Sequence, residues 1–166
     1  MMKSSWPLIC LILLMTCIRL AKAEVAVSLR GETLVTATAG KLTAQIKTHE
    51  VQIGKPSDQR PTTIESNCTY SRYPCSLVDR IDITVNGSKL YVPRSVFCDL
   101  ADLTAAELTA GQKTSTLTLY GGDASEAYIV KVEFDTTAVK RRTLSSRLSP
   151  NEPLQETIYH AVVLGE

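Results

Sequence analysis

The sequence predicts an all-β domain: antiparallel hairpins forming a small sandwich or barrel-like fold of about seven or eight strands. Two hairpin turns and several segments that alternate apolar and polar residues support this prediction. At most one short helix is expected, near residues 104–110. There Thr104 and Glu107 have capping-box spacing and Gly111 follows as a stop, although a plain turn fits the same residues.

Residues 1–23 form a predicted secretory signal peptide. An apolar run covers 8–18, and residues 21–23 provide a small-x-small cleavage site. The run is shorter than the roughly 20 apolar residues that a membrane-spanning helix needs, so no membrane span is predicted. Residues 24–166 are then expected to form one exported, β-rich domain. A lipid anchor at Cys17 is the alternative.

The expected mature domain has a nearly balanced charge. Removal of residues 1–23 takes away three basic residues and no acid, which leaves 15 basic and 17 acidic side chains. A formal charge of about −2 gives no electrostatic case for nucleic acid as a partner. The only tryptophan, Trp6, also lies in the predicted signal peptide, which weakens the case for a sugar-binding site.

The segment 34–47 predicts a hairpin around a two-residue turn, Gly40-Lys41. Glycine in the first position of such a turn favours the type II′ conformation. The resulting register places Val35 opposite Ile46 and collects the apolar side chains on one face. This is the pattern of a half-buried antiparallel pair.

A second hairpin is predicted over residues 78–92. Its turn, Asn86-Gly87, is the strongest short hairpin signal because both positions require a positive φ. The turn fixes a register in which Ile83 lies opposite Leu90.

Three cysteines remain after the signal peptide, and in an exported domain two of them are expected to form a disulfide. If the second hairpin continues for eleven residues on each side of its turn, Cys75 lies opposite Cys98. A hydrogen-bonded pair in an antiparallel ladder has a Cα separation of about 5.5 Å, which a disulfide accepts. We therefore predict Cys75–Cys98, with the short-range bridge Cys68–Cys75 as the alternative.

The remaining strands are predicted from alternation alone. The final one is apolar on both faces near its end, which indicates a central position in a sheet. These segments are 25–29, 117–120, 128–134, 139–144 and 154–164.

Catalytic chemistry has little support in the sequence. The two histidines, His49 and His160, both lie in strand-like segments, and the motifs of the common hydrolase families are missing. No cofactor and no metal site are predicted. A small hydrolase using a carboxylate or serine around Asp99, Asp123 or Ser125 remains an alternative function.

Two surface features point instead to protein binding. Residues 54–74 form a long irregular loop that contains tyrosine and arginine, the residue types enriched at interfaces. A basic run further along offers a docking patch for an acidic partner. The predicted binding residues are Tyr70, Arg72 and Tyr73 in the loop and Lys140, Arg141 and Arg142 in the basic run.

These features together predict an exported, non-catalytic binding module whose partner is another protein in the periplasm or the extracellular space. An inhibitor, immunity or envelope-interaction role fits this description. Besides the small hydrolase, a carrier of a small apolar ligand is the alternative. The sequence leaves the oligomeric state and the identity of the partner open.

Overall fold

The computed structural model describes residues 24–37, 41–55 and 68–160 of the chain. Two antiparallel sheets pack against each other as a sandwich, which confirms the predicted all-β class. The described residues form ten strands: β1 (Val25–Ala26), β2 (Gly31–Thr36), β3 (Leu42–Val51), β4 (Cys75–Val85), β5 (Ser88–Leu90), β6 (Leu103–Thr109), β7 (Ser115–Gly121), β8 (Tyr128–Phe134), β9 (Val139–Ser146) and β10 (Pro153–Ile158).

The larger sheet has the strand order β1-β6-β7-β8-β9-β10, and the smaller one has the order β2-β3-β4-β5. Two single turns of 3₁₀ helix, Arg94–Val96 and Ala124–Glu126, are the helices of the described residues. None of them is long or apolar enough to cross a membrane.

Alternating side chains from both sheets meet in the core. Each strand directs every second residue inward, so the inner faces are aliphatic while the outer faces carry the charges. Strand β6 contacts β2, β3 and β4 across the interface between the sheets. The fully buried side chains of this core include Val35, Ala44, Ile46, Ile83, Val96, Leu117, Leu119, Val130, Val132 and Phe134.

The first predicted hairpin is present as β2 and β3, but the predicted register differs from the observed one by two residues. Val35 lies opposite Ala44 rather than Ile46, and the amide of Ala37 donates to the carbonyl of Leu42 over 3.1 Å. The connection is therefore two residues longer than predicted; residues 38–40 of it lie outside the described residues. Because side chains alternate with a period of two, this shift leaves the apolar face on the core side as predicted.

The second predicted hairpin is confirmed close to its turn. Ile83 lies opposite Leu90, and Asn86 and Gly87 have φ values of 52° and 85°. The pairing ends at Leu90, where β5 ends, and the chain then enters the 3₁₀ turn behind Pro93. Proline lacks the N–H that a continuing ladder would need.

The predicted disulfide was therefore wrong. Beyond Leu90 the chain leaves β4, so Cys98 does not come opposite Cys75. Cys75 instead bonds to Cys68, with a Cα separation of 5.6 Å, and Cys98 is an exposed free thiol. The prediction extends the pairing of the hairpin past Leu90, where the two strands separate.

The helix expected near 104–110 is also absent, since these residues form β6. Both faces of β6 are largely buried, and the strand pairs with β1 on one side and β7 on the other. Long-range pairing thus overrides the capping-box spacing of Thr104 and Glu107. The Glu107 carboxylate instead accepts a hydrogen bond of 2.9 Å from the Thr109 hydroxyl.

The strands predicted at 117–120, 128–134 and 139–144 are confirmed as β7, β8 and β9, and β7 pairs with β8 as a hairpin. The central position predicted for the final strand was wrong, because β10 pairs only with β9 in the described sheet and its side chains are mostly exposed. Apolar residues at 161–163, which motivated that prediction, lie outside the described residues. The irregular loop predicted at 54–74 has no helix or strand in its described parts, 54–55 and 68–74.

Candidate functional site

The candidate site consists of two loops that pack together at one end of the sandwich. One is the loop 68–75, closed by the Cys68–Cys75 disulfide, and the other is the β7–β8 connection 122–127. We call these two segments the platform. The two cysteines form a small apolar cluster with the buried Ala101, which packs the loop onto the segment before β6.

Asp102 holds the disulfide loop at both ends. Its fully buried carboxylate accepts a hydrogen bond of 2.7 Å from the amide of Thr69 and one of 2.8 Å from the amide of Ser76. The backbone of Asp102 also donates to the carbonyl of Ser76 over 2.6 Å and accepts from the amide of Gly122 over 3.2 Å. Asp102 therefore joins the disulfide loop to the β7–β8 connection. Its φ of 50° is left-handed, a conformation that aspartate tolerates better than most residues.

Two acidic side chains of the β7–β8 connection support the loop from the other side. The Glu126 carboxylate accepts from the amide of Tyr70 over 2.8 Å, and the Asp123 carboxylate accepts from the Ser71 hydroxyl over 3.2 Å. Asp123 also caps its own turn by accepting from the amide of Ala124 over 2.8 Å. Hydrogen bonds to ionised acceptors are stronger than neutral ones, so these contacts restrict the loop backbone.

Tyr128 fixes the segment that carries Asp102. Its hydroxyl donates to the carbonyl of Ala101 and accepts from the amide of the same residue over 3.2 Å. Burial raises the pKa of this hydroxyl well above its ordinary value, so it stays protonated and able to donate. The ring lies over Gly121, its neighbour across β7 and β8, where a Cβ atom would overlap the ring.

The structure brings the predicted loop residues onto this support. Tyr70 is 64% exposed, while Arg72 and Tyr73 are half-buried. The amide of Arg72 donates to the carbonyl of Thr69 over 3.0 Å, which closes a tight turn at the tip of the loop. An aromatic side chain is thus presented to solvent on a restrained backbone.

The basic run lies away from the platform, on β9, and acidic partners neutralise it. The Lys140 ammonium lies 2.9 Å from the Asp135 carboxylate. The Arg141 guanidinium contacts Glu133 at 2.9 Å and Glu156 at 3.3 Å. The hydrogen bonds and charge of Glu133 raise the pKa of Arg141 above its ordinary value.

The burial of Arg142 contradicts its predicted place in a basic docking patch, because its side chain is only 1% exposed. Its Nε donates to the carbonyl of Val96 over 3.0 Å, and its Nη1 donates to the Gln155 amide oxygen over 3.0 Å. Its Nη2 lies 2.7 and 2.8 Å from the two carboxylate oxygens of Asp99. Alternation along β9 turns this side chain inward, where it fastens the 94–99 segment to the larger sheet.

The residues considered for hydrolysis are dispersed. Asp99 is engaged by Arg142, whereas Asp123 and Ser125 are exposed in the β7–β8 connection. His49 pairs with Asp79 at 2.6 Å on the smaller sheet. Within 24–37, 41–55 and 68–160, no three histidine, cysteine or acidic side chains are grouped to hold a metal ion. Hydrolysis stays an untested prediction.

An open groove of about 520 Å³, which the sequence did not predict, lies beside β10. The groove lies between the segment that follows β5 and the end of β10. The Ser95 hydroxyl of that segment donates to the Tyr159 hydroxyl over 3.3 Å. Tyr91 is 81% exposed at its rim. The groove is lined by Tyr91, Pro93, Thr137, Ala138, Val139, Ile158, Tyr159 and His160.

Sequence reasoning missed the residues that build the platform. Neither Asp102 nor Glu126 is among the predicted binding residues. A buried aspartate that accepts backbone amides from a distant loop leaves no signal in the local sequence, since its partners are 26 and 33 positions away. No protein-family model, curated protein or solved structure matches this chain.

Proposed function

We propose that this chain is exported and binds another protein through the platform. One observation supports this most: Tyr70 is 64% exposed on a loop whose backbone is fixed by a disulfide and by acidic side chains. Ordering a flexible loop on binding costs free energy, so a loop that is already ordered keeps more of its contact energy as affinity. Tyrosine suits such a role because it offers a large contact area with few rotatable bonds.

Charge and composition extend this proposal. Arg72 lies two residues from Tyr70, and tyrosine and arginine are the side chains most often found at binding hot spots. The neighbouring Asp123 and Glu126 are exposed, so the platform combines an aromatic centre with charges of both signs. A protein surface of mixed polarity with an apolar pocket for Tyr70 is the partner that fits it.

The export proposal has two supports. Residues 1–23 have the pattern of a signal peptide. The Cys68–Cys75 pair is at disulfide distance, and structural disulfides persist in the periplasm and outside cells but are rare in the cytosol. We therefore place the partner in the periplasm or the extracellular space.

The test is capture of the partner from the native exported fraction by the tagged, processed chain, followed by affinity measurement with the purified partner. Tyr70→Ala and Arg72→Ala should each weaken binding by about thirtyfold, which corresponds to about 2 kcal/mol for a hot-spot side chain. Tyr91→Ala is the matched control, because it removes an even more exposed tyrosine outside the platform. Unchanged affinity in both platform variants would contradict the proposal.

A second candidate function, carriage of a small apolar ligand, is favoured by the groove beside β10. Its volume of about 520 Å³ is within the usual range of ligand sites, and two tyrosines line it. The dye 1-anilinonaphthalene-8-sulfonate serves as an apolar probe. Saturable binding that Tyr91→Ala abolishes and Tyr70→Ala leaves intact would support carriage; equal binding by both variants would contradict it.

A further inference from the structure

Asp102 is a buried carboxylate, and its hydrogen bonds go to two backbone amides that flank the disulfide. Thr69 follows Cys68, and Ser76 follows Cys75, so one side chain spans the same two ends of the loop that the sulfur bridge joins. In the described part of the chain, no basic side chain forms an ion pair with Asp102. A buried charge is costly unless hydrogen bonds compensate it. The loop amides and the carboxylate therefore stabilise each other.

We propose that Asp102 is the positioning residue of the platform and that it holds the loop in place independently of the disulfide. The consequence is that the platform keeps its conformation when Cys68–Cys75 is reduced. The claim about the loop stands on its own geometry; its extension to partner binding rests on the proposed function.

Contacts that do not involve sulfur support this inference. Besides its carboxylate, Asp102 donates its own amide to the carbonyl of Ser76. Glu126 accepts from Tyr70 and Asp123 accepts from Ser71, so the middle of the loop is held as well as its ends. The disulfide, in contrast, closes a sequence separation of only seven residues. The chain entropy that a cross-link removes grows with the logarithm of the loop length, so a short loop gains somewhat less than a long one.

The test is amide hydrogen exchange on the processed chain with the disulfide intact and after reduction. Dithiothreitol breaks the one S–S bond, gives two thiols, and is itself oxidised to its cyclic disulfide. If the inference holds, reduction raises the exchange rates at Thr69 and Ser76 by less than tenfold. An increase of tenfold or more would show that the disulfide holds the loop, and would overturn the proposal.

Asp102→Asn provides the complementary variant. The side chain keeps its size, but its NH₂ group must face one of the two amides that the carboxylate accepted, so that hydrogen bond is lost. With the disulfide intact, we expect exchange at Thr69 or Ser76 to rise at least tenfold more than exchange in β7 and β8. An equal rise in the exchange rates at Thr69, at Ser76 and in β7 and β8 would indicate a global loss of stability and contradict a positioning role. If the variant does not fold, hydrogen exchange on the reduced wild-type chain still tests whether the loop depends on the disulfide.

The partner assay separates the two proposals. The reduced wild-type chain should bind the purified partner within threefold of the oxidised chain. If neither form binds through Tyr70 while the loop amides stay protected, the proposed function fails and the role of Asp102 stands. If the oxidised form binds through Tyr70 but reduction abolishes both binding and amide protection, the proposed function stands and the role of Asp102 fails.

Discussion

The ion pair between Arg142 and Asp99 allows a quantitative test of how the 94–99 segment is fastened to the larger sheet. Asp99→Ala removes the carboxylate and leaves the guanidinium of Arg142 inside the protein. Arg142→Met removes the charge but fills most of the same space. The double variant removes both charges, so the three variants together form a thermodynamic cycle.

The expected magnitudes follow from the burial of each partner. Loss of one partner from a fully buried pair costs about 3–5 kcal/mol, but the Asp99 side chain is 38% exposed, so water reduces the loss to about 2–3 kcal/mol. Arg142→Met leaves the carboxylate free to be hydrated but removes the donor to the Val96 carbonyl, at a cost of about 1–2 kcal/mol. The double variant should cost no more than Arg142→Met alone, so the coupling energy should equal the loss in Asp99→Ala, about 2–3 kcal/mol.

Urea unfolding followed by far-UV circular dichroism measures these free energies, because the single tryptophan, Trp6, lies in the predicted signal peptide and provides no core fluorophore. Glu133→Ala is the control, since it breaks the exposed pair with Arg141 and should cost less than about 1 kcal/mol. If the losses of the two single variants simply add in the double variant, Arg142 and Asp99 do not stabilise each other as their geometry implies.

Two further predictions follow from local geometry. Gly121→Ala should destabilise the protein by about 1–3 kcal/mol in the same assay, because the new methyl group overlaps the ring of Tyr128; an unchanged midpoint would show that the ring moves freely. Hydrogen bonds from Thr137 and Lys140 hold the pKa of Asp135 well below its usual range, so this group stabilises the fold above the unfolded carboxyl pKa of about 4 and progressively less as the pH falls below it. Asp135→Asn should be less stable than wild type at pH 7, and the difference should shrink towards pH 2; a difference that does not change with pH would rule out this role.

Strand identity and the faces of the hairpins could be predicted because they depend on neighbouring residues. Asn86-Gly87 requires a tight turn wherever it lies, and it fixed the pairing of Ile83 with Leu90. The alternation through Val35 and Ile46 placed the apolar face correctly even though the loop length was wrong, since a shift of two residues returns each side chain to the same face.

Predictions from the local sequence failed for the disulfide and for the short helix. The Asn86-Gly87 register does not extend to Cys98, because Pro93 and the 3₁₀ turn take the chain away from β4. Residues 104–111 have helical start and stop signals, yet β1 and β7 offer hydrogen bonds to both edges of β6, and both of its faces are largely buried. β1 lies far from these signals in sequence, whereas β7 begins four residues after Gly111.

The sequence alone determined the all-β class, the alternation that builds the two inner faces, and two of the residues, Tyr70 and Arg72, on which the proposed binding surface depends. The surroundings of these residues depend on how the two sheets pack: Asp102 lies beneath the disulfide loop, Glu126 lies beside it, and Arg142 lies inside the fold instead of on a basic patch. The physical reason is the separation in sequence over which each kind of interaction acts. Turn preferences and side-chain alternation act between residues a few positions apart, whereas a buried charge is stabilised by whichever distant groups the packing of the two sheets brings within hydrogen-bonding distance.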